Sequence, residues 1–501
     1  MEILEPSPGS LAQTLDPVEV QFAPLPRFAE AGRKWQGIPG LERAPEGRLW
    51  AAWYSGGCHE GPFNYIVLVT SDDDGTNWSD PLLVIDPPGI IRASDPVLWH
   101  DPLGRLWLFW MQSAMIGRET FDGRGGVWFI RTDDANSANP TWTAPQRLSN
   151  GIMMNKPTVL STGEWLFPCA VWSYRRPYYH TLSTEQFSNV FVSRDQGESF
   201  GFLGCADIPN RSCDEHMIVE RRDGTLWMLG RRTDGVGQAV STDRGKIWTA
   251  SPEPALPGPC SRFHIRRLQS GRLLLINHHE FTGRNRLTAF LSDDDGKTWP
   301  HHLLIDERTN VSYPDSIQAP DGRIHIIYDR NRLGEAEILY QSITEDEILA
   351  SQNPGHASGR LRIISRVPRV DLGQNTTIFK EPNFIDHLMN VSQETLEDGR
   401  SAIHADSDDG ELLLLPLRFN GNSLQIEFSS AGTGSIRVEL RTFMDAVVKG
   451  YSLEDCVELR GRDQTAQVCW KGDAGLAFLA GQLVRMRIEI KHADLFSLRF
   501  V

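Results

Sequence analysis

Six times between residues 38 and 330 the chain sets out a short apolar run, a polar turn with a central glycine, and a longer apolar run. IPGLERAPEGRLWAAWYSG turns at Gly47, SDPVLWHDPLGRLWLFWM at Gly104 and NKPTVLSTGEWLFPCAVW at Gly163. EHMIVERRDGTLWMLGRR turns at Gly224, RFHIRRLQSGRLLLINHH at Gly271 and VSYPDSIQAPDGRIHIIYDR at Gly322. Each reads as a β-hairpin, with glycine where the turn needs positive φ. The turns recur every 47 to 61 residues. That is the length of one four-stranded propeller blade with a loop, so six hairpins predict six blades.

A second element repeats in phase with the first. Ser-x-Asp-x-Gly-x-x-aromatic appears as SDDDGTNW at 71–78, SRDQGESF at 193–200, STDRGKIW at 241–248 and SDDDGKTW at 292–299. A decayed copy, TDDANSANPTW, occupies 132–142. The aspartate is expected to accept backbone N–H groups within the turn, the glycine to take positive φ, and the aromatic to pack over the blade. A calcium loop is the poorer reading, because the spacing lacks the closing glutamate of an EF-hand.

After Val367-Pro368-Arg369 the pattern stops. SIRVEL and LVRMRIEI then alternate, with Val484, Met486, Ile488 and Ile490 on one face and Arg485, Arg487 and Glu489 on the other. The fold class is therefore all-β: a six-bladed β-propeller over 1–370 followed by a small β-sandwich over 371–501. The sandwich either packs as an accessory domain or binds sugar.

Composition narrows the partners. Lysine and arginine number 50 against 65 acids, a net charge of −15. Nucleic acid is excluded by that balance, since phosphate binding needs a basic face. No run of about 18 apolar residues predicts a membrane span. The N-terminal stretch has no basic start followed by an apolar run, and the seven cysteines show no CxxC spacing. Both lead to the expectation of a cytoplasmic protein with reduced thiols.

Four aspartate boxes on six blades resemble the sialidase superfamily over roughly residues 30–350. What the resemblance implies is an exo-acting glycosidase that releases an acidic sugar through a tyrosine nucleophile. Tyr313, at the head of the sixth hairpin, matches that tyrosine. A neutral phenol suits an anomeric carbon that bears a carboxylate, because an anionic nucleophile would be repelled. Glu215, in CDEHMIVE, matches the base that takes the phenolic proton. Glu60, in SGGCHEGPFNYIVL, matches the general acid, with His59 beside it able to share the role.

The family clamps its substrate carboxylate with three arginines, whose planar forks fit a carboxylate. Arg231 and Arg284 match two of them. The third should precede Ile-Pro in blade one, but QGIPGL puts Gly37 there. Arg92, Lys156 and Arg262 stand near strand heads and are the candidates to fill the gap. His216, Asp95 and Asp315, also at strand heads, complete the candidate substrate contacts. The loop 172–180, WSYRRPYYH, would rim the funnel as a specificity element. The adjacent His278 and His279 point to opposite faces of a strand, which argues against a metal site. This chemistry requires no metal and no organic cofactor. Two other readings stay open: a lyase on uronic-acid glycans using His59, His216 or His264 with Tyr313, and a propeller that binds glycans without turnover.

Overall fold

The computed structural model describes residues 12–57, 59–61, 63–89, 91–114, 123–172, 182–351, 361–367, 370–372, 385–396, 399–442, 446–472 and 475–501. The chain divides into two compact units, Met1–Val367 and Pro368–Val501. The first is a six-bladed propeller of antiparallel sheets. The inner strands of five blades are Gln36–Arg43, Ile91–His100, Met217–Glu220, His264–Arg267 and Val311–Gln318. In blade three two short pieces, Ile152–Met153 and Thr158–Val159, take that place. Each inner strand pairs with the apolar strand after its turn, and all six turn glycines have positive φ, from 81° to 115°. Blade one gains a fifth strand, Val20–Gln21, paired with Leu83–Ile85. No periodicity announces so short a strand.

The aspartate boxes are staples, as their chemistry predicts. Asp73, Asp195, Asp243 and Asp294 each bond the serine two residues before them and accept backbone N–H groups from the turn at 2.8–3.1 Å. Backbone hydrogen bonds, first of all from Asn77, hold the Asp73 carboxyl down at about 2. The staple also crosses to a neighbouring blade. A Cβ at Gly75 would lie 2.4 Å from the Tyr340 ring, at Gly197 2.8 Å from Trp107, and at Gly296 2.5 Å from Trp227. Each of these aromatics belongs to the preceding blade around the ring. Even the decayed copy packs this way: Trp142 meets the blade-one Trp50 edge-on at 6.0 Å between ring centres.

Each blade is one contiguous stretch of chain, so side chains rather than a shared strand close the ring. The Gln36 amide donates to Ala336 O at 2.9 Å and to Ser365 Oγ at 3.0 Å, and Arg33 reaches Ser365 Oγ at 2.8 Å. The Asp329 carboxylate accepts from Ile38 N at 2.8 Å, and Asp315 accepts from Leu41 N at 2.8 Å. Leu41, Trp53 and Val67 of blade one share an apolar cluster with Ile327, Ile338 and Tyr340 of blade six.

The second unit is built on one nine-stranded sheet. Two long strands, Leu424–Thr442 and Val484–Phe500, pair along most of their length, with register breaks at Glu427/Phe428 and Ser430/Ser435. The sheet curls on these strands, so the layers of the expected sandwich are parts of one sheet around one core. Val484, Met486, Ile488 and Ile490 are buried there as the alternation predicts. On the other face Arg487 pairs with Glu411 at 2.6 Å, and Arg485 pairs with Asp386 and is buried as well.

The glycines allow a clean test. Gly224 (φ +81°) has no atom within 4 Å of where a Cβ would stand, whereas Gly296 (φ +86°) faces the Trp227 ring. Gly224→Ala should lose only the left-handed backbone term, about 1–2 kcal/mol. Gly296→Ala should lose about 1–3 kcal/mol more, because the ring must move. Urea unfolding of both variants checks this; equal losses would show that the box glycine is a turn residue and not a staple.

Candidate active site

Three inner strands carry the same local distortion. Ile38, Asp95 and Tyr313 each precede a proline and have positive φ, 58°, 53° and 55°. Each sits at a register break in its hairpin: Gly37/Gly40, Ser94/Val97 and Ser312/Asp315. A bulge re-aims a side chain, and proline removes an N–H that the broken ladder leaves without a partner. In blade four the run Cys213, Asp214 and Glu215 has positive φ throughout, 58°, 52° and 44°. Non-glycine residues in this region cost about 1–3 kcal/mol each, and such outliers cluster at functional sites. Here they gather at the heads of the inner strands, away from the hairpin turns.

Tyr313 and Glu215 meet there. The Tyr313 hydroxyl donates to Glu215 Oε1 at 2.8 Å. Arg231 Nη1 donates to the same Oε1 at 2.7 Å and to the phenolic oxygen at 3.0 Å. Both Tyr313 and Glu215 are 4% exposed. Glu215 Oε2 is buried and has no hydrogen-bond partner among the described residues. Burial raises the Tyr313 phenol well above its ordinary value, and the Glu215 charge raises it further against Arg231, Arg332 and Arg284. The phenol is therefore neutral near pH 7, with a carboxylate on its proton and a guanidinium on its oxygen. Cys260 holds the other side of Arg231, accepting from Nε and Nη2 at 3.2 Å.

Arg284 lies 5.4 Å from the centre of the Tyr313 ring and donates to Cys260 O at 2.8 Å. Its neighbour Arg286 turns away to His279 O and Glu280, and Arg232 turns away to Asp234 and Pro252 O. Arg92 stacks on the Tyr54 ring at 5.2 Å. Burial raises the Asp95 carboxyl to about 6, opposed by Arg92 and Ser94 and reinforced by Glu60 and Glu215. Glu60 is half-exposed and pairs with Arg332 Nη1 at 2.5 Å, and His59 Nδ1 lies 2.8 Å from Glu60 O.

Other expected contacts are placed elsewhere. Arg262 is 2% exposed and donates to Met154 O at 2.9 Å, Pro39 O at 3.0 Å, Tyr313 O at 2.9 Å and Pro314 O at 3.2 Å. Lys156 Nζ donates to Leu98 O at 2.6 Å and to Leu41 O, and lies 3.0 Å from Asp315 Oδ2. Burial would raise the Asp315 carboxyl, but Lys156, His264 and Arg262 together hold it below its ordinary value. Arg262, Lys156 and Asp315, expected as substrate contacts, thus satisfy backbone groups and one another on the propeller axis. His216 is buried with Nε2 2.8 Å from Asn189 O, and burial lowers it to about 4. His264 pairs with Asp315 at 3.3 Å, and burial lowers it to about 3. His278 bonds Asn285 O while His279 meets the Phe290 ring edge-on, so the two point apart. Residues 173–180 and Cys58 lie outside the described residues. Among those described, no cluster of His, Cys, Asp or Glu could hold a metal.

Sequence reasoning missed Arg332. Its guanidinium sits 4.7 Å from the Tyr313 ring centre, nearer than Arg284, and its Nε lies 3.4 Å from Asp329. The stretch DRNRLGE offers two arginines with nothing to choose between them. Arg330 turns to Glu337 and Arg332 to the site.

The family described as BNR repeat-like domain matches residues 47–326. The chain is 23% identical over 354 residues to a sialidase of Bacteroides fragilis, a match spanning 62% of this chain and 62% of that relative's length. It superposes on the Hadza microbial sialidase Hz136 with a TM-score of 0.50 at 19% identity, covering 64% of this chain and 68% of the other. It superposes on the NanB sialidase from Streptococcus pneumoniae with a TM-score of 0.51 at 13% identity, covering 66% and 71%. At these identities the structural likeness speaks for the fold.

Asp95 gives the site a pH signature. Its folded value of about 6 lies above the ordinary 3.8, so its stabilising contribution is present below about pH 4 and is lost as pH rises through 6. Above pH 6 the buried carboxylate costs on the order of 3 kcal/mol. Asp95→Asn should therefore stabilise the protein at pH 7.5 by up to that amount, with the gain fading towards pH 4. Denaturant midpoints at both pH values measure it; no gain at pH 7.5 would show that the carboxylate is compensated in place.

Proposed function

The chain belongs to the BNR repeat-like domain family, and on that premise we propose that it is an exo-acting glycoside hydrolase of sialidase type, releasing an acidic sugar from glycans. The observation that carries this reading is the buried Tyr313–Glu215–Arg231 arrangement. A phenol that donates to a carboxylate while its oxygen accepts from a guanidinium is prepared to become a nucleophile. As Tyr313 Oη bonds to the anomeric carbon, its proton passes to Glu215, and Arg231 stabilises the negative charge developing on the oxygen. The glycosidic C–O bond breaks, and Glu60 donates a proton to the leaving oxygen. Water then attacks the anomeric carbon of the aryl glycoside from the vacated side as its bond to Tyr313 Oη breaks, with Glu60 taking the proton of the water and Glu215 returning one to the phenol. The two displacements together retain the anomeric configuration.

Arg231 and Arg284 suit an anionic sugar. Both stand beside Tyr313, where a carboxylate would lie next to the reacting carbon. Arg92 and Asp95, on blade two, are assigned in this reading to polar substituents of the sugar ring.

Hydrolysis of a panel of fluorogenic glycosides, including a sialoside and a glucuronide, tests the reading. One member should be turned over by the wild type. Tyr313→Phe should lower its rate by at least about 10²-fold, and Glu215→Gln by about 10²–10⁴-fold. Full activity of Tyr313→Phe would remove tyrosine from the reaction centre.

A further inference from the structure

The position before Ile38-Pro39 is glycine, and the room it leaves is filled. A Cβ on Gly37 would lie 2.3 Å from Arg332 Cδ and 2.8 Å from Arg332 Cγ. Any side chain at 37 and the present course of Arg332 exclude each other. Arg332 comes from the opposite side of the ring seam, in the loop after the second strand of blade six, Ile324–Arg330. Its stem crosses above Gly37 and delivers the guanidinium to the Tyr313 ring at 4.7 Å.

The placement is built rather than incidental. Asp329, fully buried, lies 3.4 Å from Arg332 Nε while its carboxylate also accepts from Ile38 N at 2.8 Å and Ser312 Oγ at 2.7 Å. One carboxylate thus fixes the blade-one bulge, the strand leading to Tyr313 and the arginine together. The Arg332 side chain keeps 14% exposure, comparable to the 11% of Arg231. Arg262, also near the ring, directs both terminal nitrogens at backbone carbonyls.

We propose that Arg332 supplies, from blade six, the third guanidinium of the substrate-anion site, in the space left open by Gly37. This rests on the functional reading above and deepens it: the ligand is a sugar carrying a carboxylate, held by Arg231, Arg284 and Arg332. In the free protein Glu60 occupies Arg332. An incoming carboxylate takes over that guanidinium and releases Glu60 towards the leaving oxygen.

The test moves the guanidinium between blades. Kinetics are measured for Arg332→Gly, Arg332→Lys and the double variant Gly37→Arg/Arg332→Gly, on the glycoside that the wild type hydrolyses and on its carboxamide analogue. Arg332→Gly should lower kcat/KM for the acidic substrate about tenfold to hundredfold, chiefly through KM. Arg332→Lys should fall between it and the wild type. The amide should be indifferent to both variants, which a merely structural arginine would not produce. The double variant should recover at least tenfold over Arg332→Gly. An unchanged KM in Arg332→Gly, or equal losses on acid and amide, would overturn the proposal. Should the wild type hydrolyse no member of the panel, calorimetry with free sialic acid and glucuronic acid separates the two claims. Binding that weakens in Arg332→Gly would sustain the anion site while the hydrolase reading falls. Binding of neither acid by the wild type would overturn both.

Discussion

Six inner strands converge on one axis, and each arrives with an unpaired edge. Backbone carbonyls stranded in so narrow a space need donors, since leaving them unmet costs about 1–3 kcal/mol apiece. Three side chains answer this demand. Arg262 of blade five bonds carbonyls of blades one, three and six. Lys156 of blade three bonds blades one and two, and Asn155 beside it bonds Glu215 O and His216 O of blade four. Arginine and lysine are donors without acceptors, so they suit a ring of carbonyls. The charge this brings inside is met by Asp315 and Glu42.

The site depends on that axial cluster. The carbonyls that Arg262 grips include those of Tyr313, Pro314 and Pro39, the residues of two of the three strained bulges. The strained conformations that aim Tyr313 at Glu215 are held by the same contacts that hold the ring. Ring stability and the Tyr313–Glu215 contact therefore rest on one network.

Much of this was legible in the sequence because it is local and repeated. Glycine turns at 47, 104, 163, 224, 271 and 322 announce hairpins through backbone stereochemistry alone. The boxes close within eight residues. The grouping of Tyr313, Glu215, Arg231 and Arg284 could be anticipated because their positions are tied to strand heads and turns that can be counted. What could not be read was the long-range use of cations. Lys156 and Arg262 stand near strand heads as expected, but which way they point is decided by carbonyls on other blades. Arg332 sits in a loop with no motif, and its only trace in the sequence is the absence of a side chain 295 positions earlier, at Gly37.

The seam between blades one and six carries a consequence for synthesis. Among the described residues no strand is exchanged across it, so blade one is covered on this side by blade-six side chains. Its apolar flank, Leu41, Trp53 and Val67, packs with Ile327, Ile338 and Tyr340 of blade six. At about 5–20 residues per second, that flank waits roughly 15–60 s on the ribosome for its cover. Over the same interval Glu60 has no Arg332 and Glu215 has no Tyr313. The nascent protein thus carries an uncovered apolar flank until its last blade emerges, and ring closure covers the flank and joins both pairs at once.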